Sequence, residues 1–410
     1  MRHLVGLLLG TEEDWSTAFE RLAARVGTFS WRGAEHELVV ERVLNEPFDL
    51  RYQPRYSLVI DRLGWWYDLP REWLKKMALM DDVYLLNNPF TFQAMEKHSA
   101  YCAMMRLGLK VPETWLIPHK QPPANERFFA TASRYNRPFD LAAIAARIGY
   151  PVYLKPFDGG QWRGVARARD EYELRTRYDE SGEQLMHLQR AVDGFDVFAR
   201  SLSIGPETMV MWFDPDRPLH DRYQVRHDFL TPELGLEVVT ISRVINAFFR
   251  WEFNSCESLV RGGEVHPIDY ANASPDVALT SLHYYFPWAI TALVRWSAFC
   301  LAVGRRMRID VDPQPWFELG DREDLSYEDK LPQYRGLADA YFQADEYAEF
   351  SVSALAHLDD AAHDWFTSVD FDRLLVDSVR STFPPHEHEH FVAHYRDLLD
   401  AWARDAALSR

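Results

Sequence analysis

The sequence predicts an α/β fold in three parts: a small parallel α/β domain over residues 1–90, a strand-rich middle over 91–320, and a helical extension over 321–410. Three observations carry this. Short apolar runs alternate with amphipathic helical stretches over the first 90 residues, the pattern of parallel strands joined by helical crossovers. Strand-like segments then recur between residues 149 and 270. From about Ser281 onward the pattern is almost wholly helical.

Taken in order, Leu4–Leu9 reads as a buried strand, and Asp14–Val26 as a helix whose acidic first turn suits its positive end. Strands follow at Glu37–Val43 and Ser57–Ile60, then a helix near Pro70–Leu79 and a strand at Val83–Asn87. Pro89 precedes a helix from about Thr91 to Leu107, stopped by Gly108 and Pro112. Residues 118–138, rich in Pro, Asn and Arg, read as a loop or lid. A helix at Leu141–Ile148 leads into a strand ending at Lys155. Further strands are expected at Gln184–Arg190, Phe195–Ile204, Thr208–Phe213 and Arg222–His227, then a helix at Glu237–Phe249 and two strands around Gly262-Gly263.

Composition narrows the function. The 410 residues carry 45 basic and 62 acidic side chains, a net charge of −17. No global positive field is present to capture nucleic acid or an anionic membrane, although a local basic pocket for a small anion is compatible with this balance. Cys102, Cys256 and Cys300 are too few and scattered for a disulfide framework, which fits a reducing cytoplasm. The apolar start is followed at once by Glu12, Glu13 and Asp14, so it reads as a first strand and not as a secretion signal. The stretch Tyr284–Val303 is interrupted by Pro287 and Arg295 and spans no bilayer.

Four motifs in one order carry the chemistry. Lys97 sits early in a helix. Lys155 ends a strand before Gly159 and Gly160, where a compact ammonium reaches phosphate oxygens and glycines let backbone N–H groups fold over them. Leu188-Gln189-Arg190-Ala191-Val192-Asp193-Gly194-Phe195-Asp196 reads either as a hairpin connection or as a hinge. In the hinge reading, Gln189 and Val192 meet an adenine edge and Asp196 holds ribose hydroxyls. Glu252 and Asp269, 17 residues apart on strands joined through Gly262-Gly263, are expected to converge with Asn272 as hard oxygen ligands for Mg²⁺. Glu257 is the next carboxylate to test. Arg200, Arg226 and Arg250 flank this region as candidate anion holders, and His386, His390 and His394 share a helical spacing that zinc also uses.

This series resembles the ATP-grasp superfamily, with wording nearest the glutathione synthetase, ribosomal S6-modifying and D-alanine–D-alanine ligase branch. Asn87-Asn88-Pro89 with Glu96-Lys97, Leu154-Lys155-Pro156-Phe157-Asp158-Gly159-Gly160, Leu188-Gln189-Arg190, and Ile268-Asp269 followed by Ser274-Pro275 carry the resemblance, over about residues 83–276. It implies a two-lobed ATP-grasp unit in the middle of the chain and an ADP-forming carboxylate–amine or carboxylate–thiol ligase working through an acyl phosphate. ATP and two Mg²⁺ ions are the implied cofactors. Lys97, Lys155, Gly159, Gly160, Gln189, Val192 and Asp196 are the implied nucleotide residues. Lys155, Arg226 and Arg250 are the expected catalytic cations, and Glu252, Asp269 and Asn272 the metal ligands. Partners are small-molecule or peptide carboxylates and amines, with homo-oligomerisation open. Two departures stand out. Aligned on Ser274-Pro275, the family's asparagine falls on Ala271, so Asn272 needs a bulge at Tyr270-Ala271 to reach the metal side. Gln161-Trp162-Arg163 stands where the phosphate loop is usually glycine-rich. A phosphoryl transferase and a catalytically degenerate nucleotide binder are the alternatives.

Overall fold

The computed structural model describes every residue except 45, 92–96, 123, 136, 159, 161, 273 and 409–410. The first part contains β1 (Arg2–Leu8), α1 (Asp14–Val26), β2 (Thr28–Trp31), β3 (Ala34–Arg42), β4 (Leu58–Asp61), α2 (Asp68–Met80) and β5 (Tyr84–Leu85). These form one sheet in the order β2-β3-β1-β4-β5, parallel except for β2. Its central strand ends buried, and β4 is buried throughout, as apolar text on both faces requires. Helix α1 lays Trp15, Phe19, Leu22 and Val26 on it from one helical face. The sequence reading passed over β2, which a turn at Arg32-Gly33 with positive φ at both residues folds back on β3.

The middle of the chain builds two lobes. Helix α3 (Lys97–Arg106) packs into the larger core through Tyr101 and Met104, and the smaller lobe that follows holds β6 (Thr114–Ile117), α4 (Glu126–Tyr135), α5 (Leu141–Ile148), β7 (Val152–Pro156), β8 (Ala166–Ala168), α6 (Glu171–Glu180) and β9 (Met186–Arg190). Its antiparallel sheet runs β6-β9-β7-β8. Helix α4 occupies much of the segment expected to be a loop; the prolines at 118, 122, 123 and 138 that suggested a loop all lie outside its ten residues. The larger lobe holds β10 (Val197–Ile204), β11 (Glu207–Phe213), β12 (Tyr223–Gln224), α7 (Pro232–Phe249), β13 (Phe253–Arg261) and β14 (Glu264–Asp269). Its antiparallel sheet runs β12-β11-β10-β13-β14. Thr231 caps α7 by accepting from Leu234 N–H, with Pro232 next, which starts the helix five residues before the expected Glu237.

The rest is helical: α8 (Leu279–Leu282), α9 (Phe286–Ala302), α10 (Gln314–Gly320), α11 (Tyr327–Phe342), α12 (Ala344–Ser353), α13 (Leu358–Phe366), α14 (Val369–Thr382) and α15 (His388–Leu408). The long apolar helix α9 is buried against α1 and β10, and α11 packs along α7. No helix among the described residues is long and apolar enough to cross a membrane. Two separate cores result. One joins the N-terminal domain, the larger lobe and the helices. The other, built on Ile117, Ile148, Leu154, Leu174 and Leu188, belongs to the smaller lobe alone. Between these cores lies the cleft that carries the candidate site.

Candidate active site

A cleft of about 960 Å³ opens between the two antiparallel sheets, at the top of the range of roughly 300–1,000 Å³ typical for sites that enclose a small molecule. Its lysine flank is built from both lobes. Lys155, on β7, is buried, and its ammonium donates to Gln189 Oε1 at 2.7 Å and to Ile268 O at 3.2 Å. Burial lowers its pKa to about 8, against the opposing pull of Asp269. Lys97, the first residue of α3, is also buried and lies 3.4 Å from Asp269 Oδ2. Beside them, burial and the neighbouring His98, Lys97 and Lys155 push the His187 imidazole down to about 3, so this ring stays neutral. The Gln189 amide is itself oriented, donating to Thr114 Oγ1 at 2.8 Å.

The acidic partner of Asp269 is Glu257. The two residues sit directly opposite across β13 and β14, where the ladder slips by one residue between Glu257 and Ser258. From the turn, Arg261 pairs with Glu264 and Ser258 with Pro267. Unbroken, that register would set Asp269 against Cys256, on the face covered by α7. The slip leaves Ile268 as an extra residue and turns Asp269 onto the cleft face. The Ile268 carbonyl accepts from Tyr101 Oη at 2.8 Å as well as from Lys155. The bulge therefore lies two residues before the expected Tyr270-Ala271. Burial and the nearby Asp269 push the Glu257 carboxyl up, against the pull of Arg200 at 3.6 Å. Ala271 and Asn272 both line the cleft. Asn272 is anchored there through its backbone N–H, which donates to Asn254 Oδ1 at 2.7 Å.

Several expected residues lie elsewhere. Glu252 is not a cleft residue: it precedes β13, five positions before Glu257 and so on the opposite face. Its buried carboxylate accepts from Tyr84, Trp296, Arg305 and Tyr341, tying β5, α9 and α11 together. Arg250 is also structural. It closes α7 with φ at 62°, donates to Asp310 O and stacks 4.6 Å over Tyr341. Arg226 is exposed and stacks 4.3 Å over Trp212, whose strand neighbour Phe213 takes the cleft face. Asp196 is exposed and accepts from Gly262 N–H, whereas Asp193 lines the cleft and pairs with Arg167. Val192, Gln189 and Gly160 line the cleft, while Gly159 falls outside the described residues. Gly160 faces the N-terminal domain: a Cβ there would lie 3.7 Å from the Trp66 ring. His390 and His394 stack on α15, and no three metal-binding side chains cluster among the described residues.

Sequence reasoning ranked Glu257 behind Glu252 and missed Asp193 as a cleft residue. The Glu257 signal was present, because a tight turn at Gly262-Gly263 already sets residue 269 opposite 256 or 257.

No known family profile and no curated protein matches the chain. Among solved structures, it is similar to a RimK-domain ATP-grasp protein from Sphaerobacter thermophilus, at 15% identity over 71% of this chain and 97% of that one, with a TM-score of 0.48. It is similar to a D-alanine–D-alanine ligase from Bacillus anthracis complexed with ATP, at 14% identity over 71% and 91% of the two chains, with a TM-score of 0.46. A third is a RiPP-associated ATP-grasp ligase from Chryseobacterium gregarium in complex with ADP and a leader and core peptide, at 12% identity over 75% and 98%, with a TM-score of 0.47.

Proposed function

We propose that the chain is an ATP-grasp ligase that couples ATP cleavage to the joining of a carboxylate and an amine. One observation carries the reading: two buried ammonium groups from different elements, Lys97 and Lys155, meet the Glu257–Asp269 pair at the floor of a cleft between two antiparallel sheets. A buried ammonium whose pKa is held down to about 8 carries a desolvation penalty that a bound anion would relieve. Two crowded carboxylates, one of them pushed up, are a pair that a divalent cation would relieve. The donor set therefore fits both ATP and Mg²⁺. Lys97, Lys155, Gln189 and Val192 would hold the nucleotide, with Asp193 in place of Asp196 near its ribose. Glu257, Asp269 and Asn272 would hold the metal, which when bound neutralises phosphate charge.

The chain's own part is positioning and electrostatics. A substrate carboxylate oxygen attacks the γ-phosphorus and ADP leaves. The amine nitrogen then attacks the acyl carbon, phosphate leaves, and the nitrogen gives up its proton. The lysines stabilise the negative charge on the phosphate oxygens throughout. The test is a thermal-shift screen with Mg·ATP, followed by ADP release on pooled carboxylates with hydroxylamine as trap. Stabilisation by ATP or ADP together with hydroxamate formation is expected. A chain indifferent to Mg·ATP overturns the reading.

A further inference from the structure

One buried amide next to the acidic pair has no part in the mechanism above. Asn254, on β13, is fully buried and lies on the strand face opposite the cleft, against α7. Its side chain binds the main chain of the segment that leaves β14. Nδ2 donates to Tyr270 O at 2.8 Å, and Oδ1 accepts from the Asn272 N–H at 2.7 Å. The second Nδ2 hydrogen goes to Asn246 Oδ1 on α7, also at 2.8 Å. A backbone N–H only donates and a carbonyl only accepts, so these partners allow the amide one orientation.

The ladder explains why an amide is needed there. Pairing of β14 with β13 ends where Asp269 faces Glu257. Beyond that point residues 270–272 belong to no strand, yet Tyr270 is buried, and buried backbone groups need partners. The Asn254 side chain is a peptide group in miniature. Its two bonds straddle Ala271, as those of a neighbouring strand would. They fix the main chain one residue past Asp269 and again at Asn272. Asp269 has its own supports: the pairing with Glu257, and the preceding Ile268 carbonyl held by Tyr101 and Lys155. Asn272 follows the end of the ladder, and its place in the cleft lining is set through Asn254.

Resting on the ligase reading, we propose that Asn254 is a positioning residue: it sets Asn272 as a metal ligand and so tunes divalent-cation affinity without touching cation, nucleotide or substrate. The test measures Mn²⁺ binding to the full chain at saturating ADP, read from the free-ion signal in electron paramagnetic resonance. Asn254→Leu should weaken Mn²⁺ about 10- to 100-fold, the usual cost of losing a group that orients a ligand. Asn254→Asp keeps the oxygen that accepts from the Asn272 N–H and should recover most of that loss. In an Asn272→Ala background the Leu exchange should cost nothing further, because its effect passes through Asn272. In the metal-free chain, amide hydrogen exchange at residues 270–272 should quicken in Asn254→Leu. Wild-type Mn²⁺ affinity in the Leu chain overturns the proposal, whatever happens to its melting temperature. So does an equal loss from the Leu exchange with Asn272 present and absent. Should the Leu chain not fold, Asn254→Ser, too short to span both partners, replaces it under the same outcomes. A wild-type chain that binds neither ADP nor Mn²⁺ refutes the ligase reading and this proposal together, whereas normal binding in the variants refutes the proposal alone.

Discussion

Replacing Lys155 by Met tests the buried ammonium most directly, because the structure sets both sign and size. Burial lowers the native pKa from 10.5 to about 8, a penalty on the charged form of about 3 kcal/mol at 1.36 kcal/mol per pH unit. Below about pH 8 both native and unfolded chains hold this proton and the whole penalty is present. Between about 8 and 10.5 the native chain has released it while the unfolded chain has not, so stability contributed by this site rises with pH through that window. Met removes the charge but leaves Gln189 Oε1 without its donor, at roughly 1–3 kcal/mol for an unsatisfied buried group, while Ile268 O keeps the Tyr101 hydroxyl. At pH 7 the two effects largely offset, and wild type and variant should unfold within about 1 kcal/mol of each other. By pH 10.5 wild type should have gained about 3 kcal/mol on the variant. Chemical denaturation at the two pH values measures the double difference, in which tyrosine and surface lysine titrations cancel. Nucleotide binding supplies the second readout. Phosphates favour the ammonium, so ADP binding at pH 8 should take up about half a proton, detected by calorimetry in two buffers of different ionisation enthalpy. The Met variant should take up none. A pH-independent stability difference together with no proton uptake in wild type would refute the assignment of Lys155 as a charge-penalised phosphate ligand.

Glu257→Gln should nearly abolish Mg·ATP turnover with the melting temperature held or raised, whereas Glu252→Gln should cost about 3–5 kcal/mol of stability because Arg305 loses its buried partner; paired melting and ADP-release assays separate the two. Deleting Ile268 should restore a regular ladder with Asp269 still opposite Glu257 on the cleft face, while removing the Ile268 carbonyl that accepts from Lys155 and Tyr101; ADP release should therefore fall without being lost, and circular dichroism should retain the native signal. Gly205→Ala should lower stability by about 3 kcal/mol in a denaturant titration, because φ is 55° there and a new Cβ would lie 2.3 Å from the Trp296 ring.

The sequence alone determined the local and periodic features. Strand and helix order in the first 90 residues apart from β2, the strand carrying Lys155, the Gly262-Gly263 turn and the helical extension were legible, since each depends on near-neighbour apolar spacing or on a turn residue. The lysines were legible as well, because a lysine ending a strand before glycines is a local pattern. Tertiary structure decided which acidic residues meet. Glu252 and Glu257 lie in similar apolar text, and only strand parity sends one to a buried network and the other to the cleft, where the extra residue at Ile268 brings Asp269 to meet it. The same holds for the arginines. Arg200, Arg226 and Arg250 look alike in sequence, but one lines the cleft, one lies over Trp212 on the surface and one closes α7. Which face a side chain takes depends on register summed over a whole ladder, and a single bulge inverts it. Local pattern therefore selects the element, while the long-range pairing of elements selects the site.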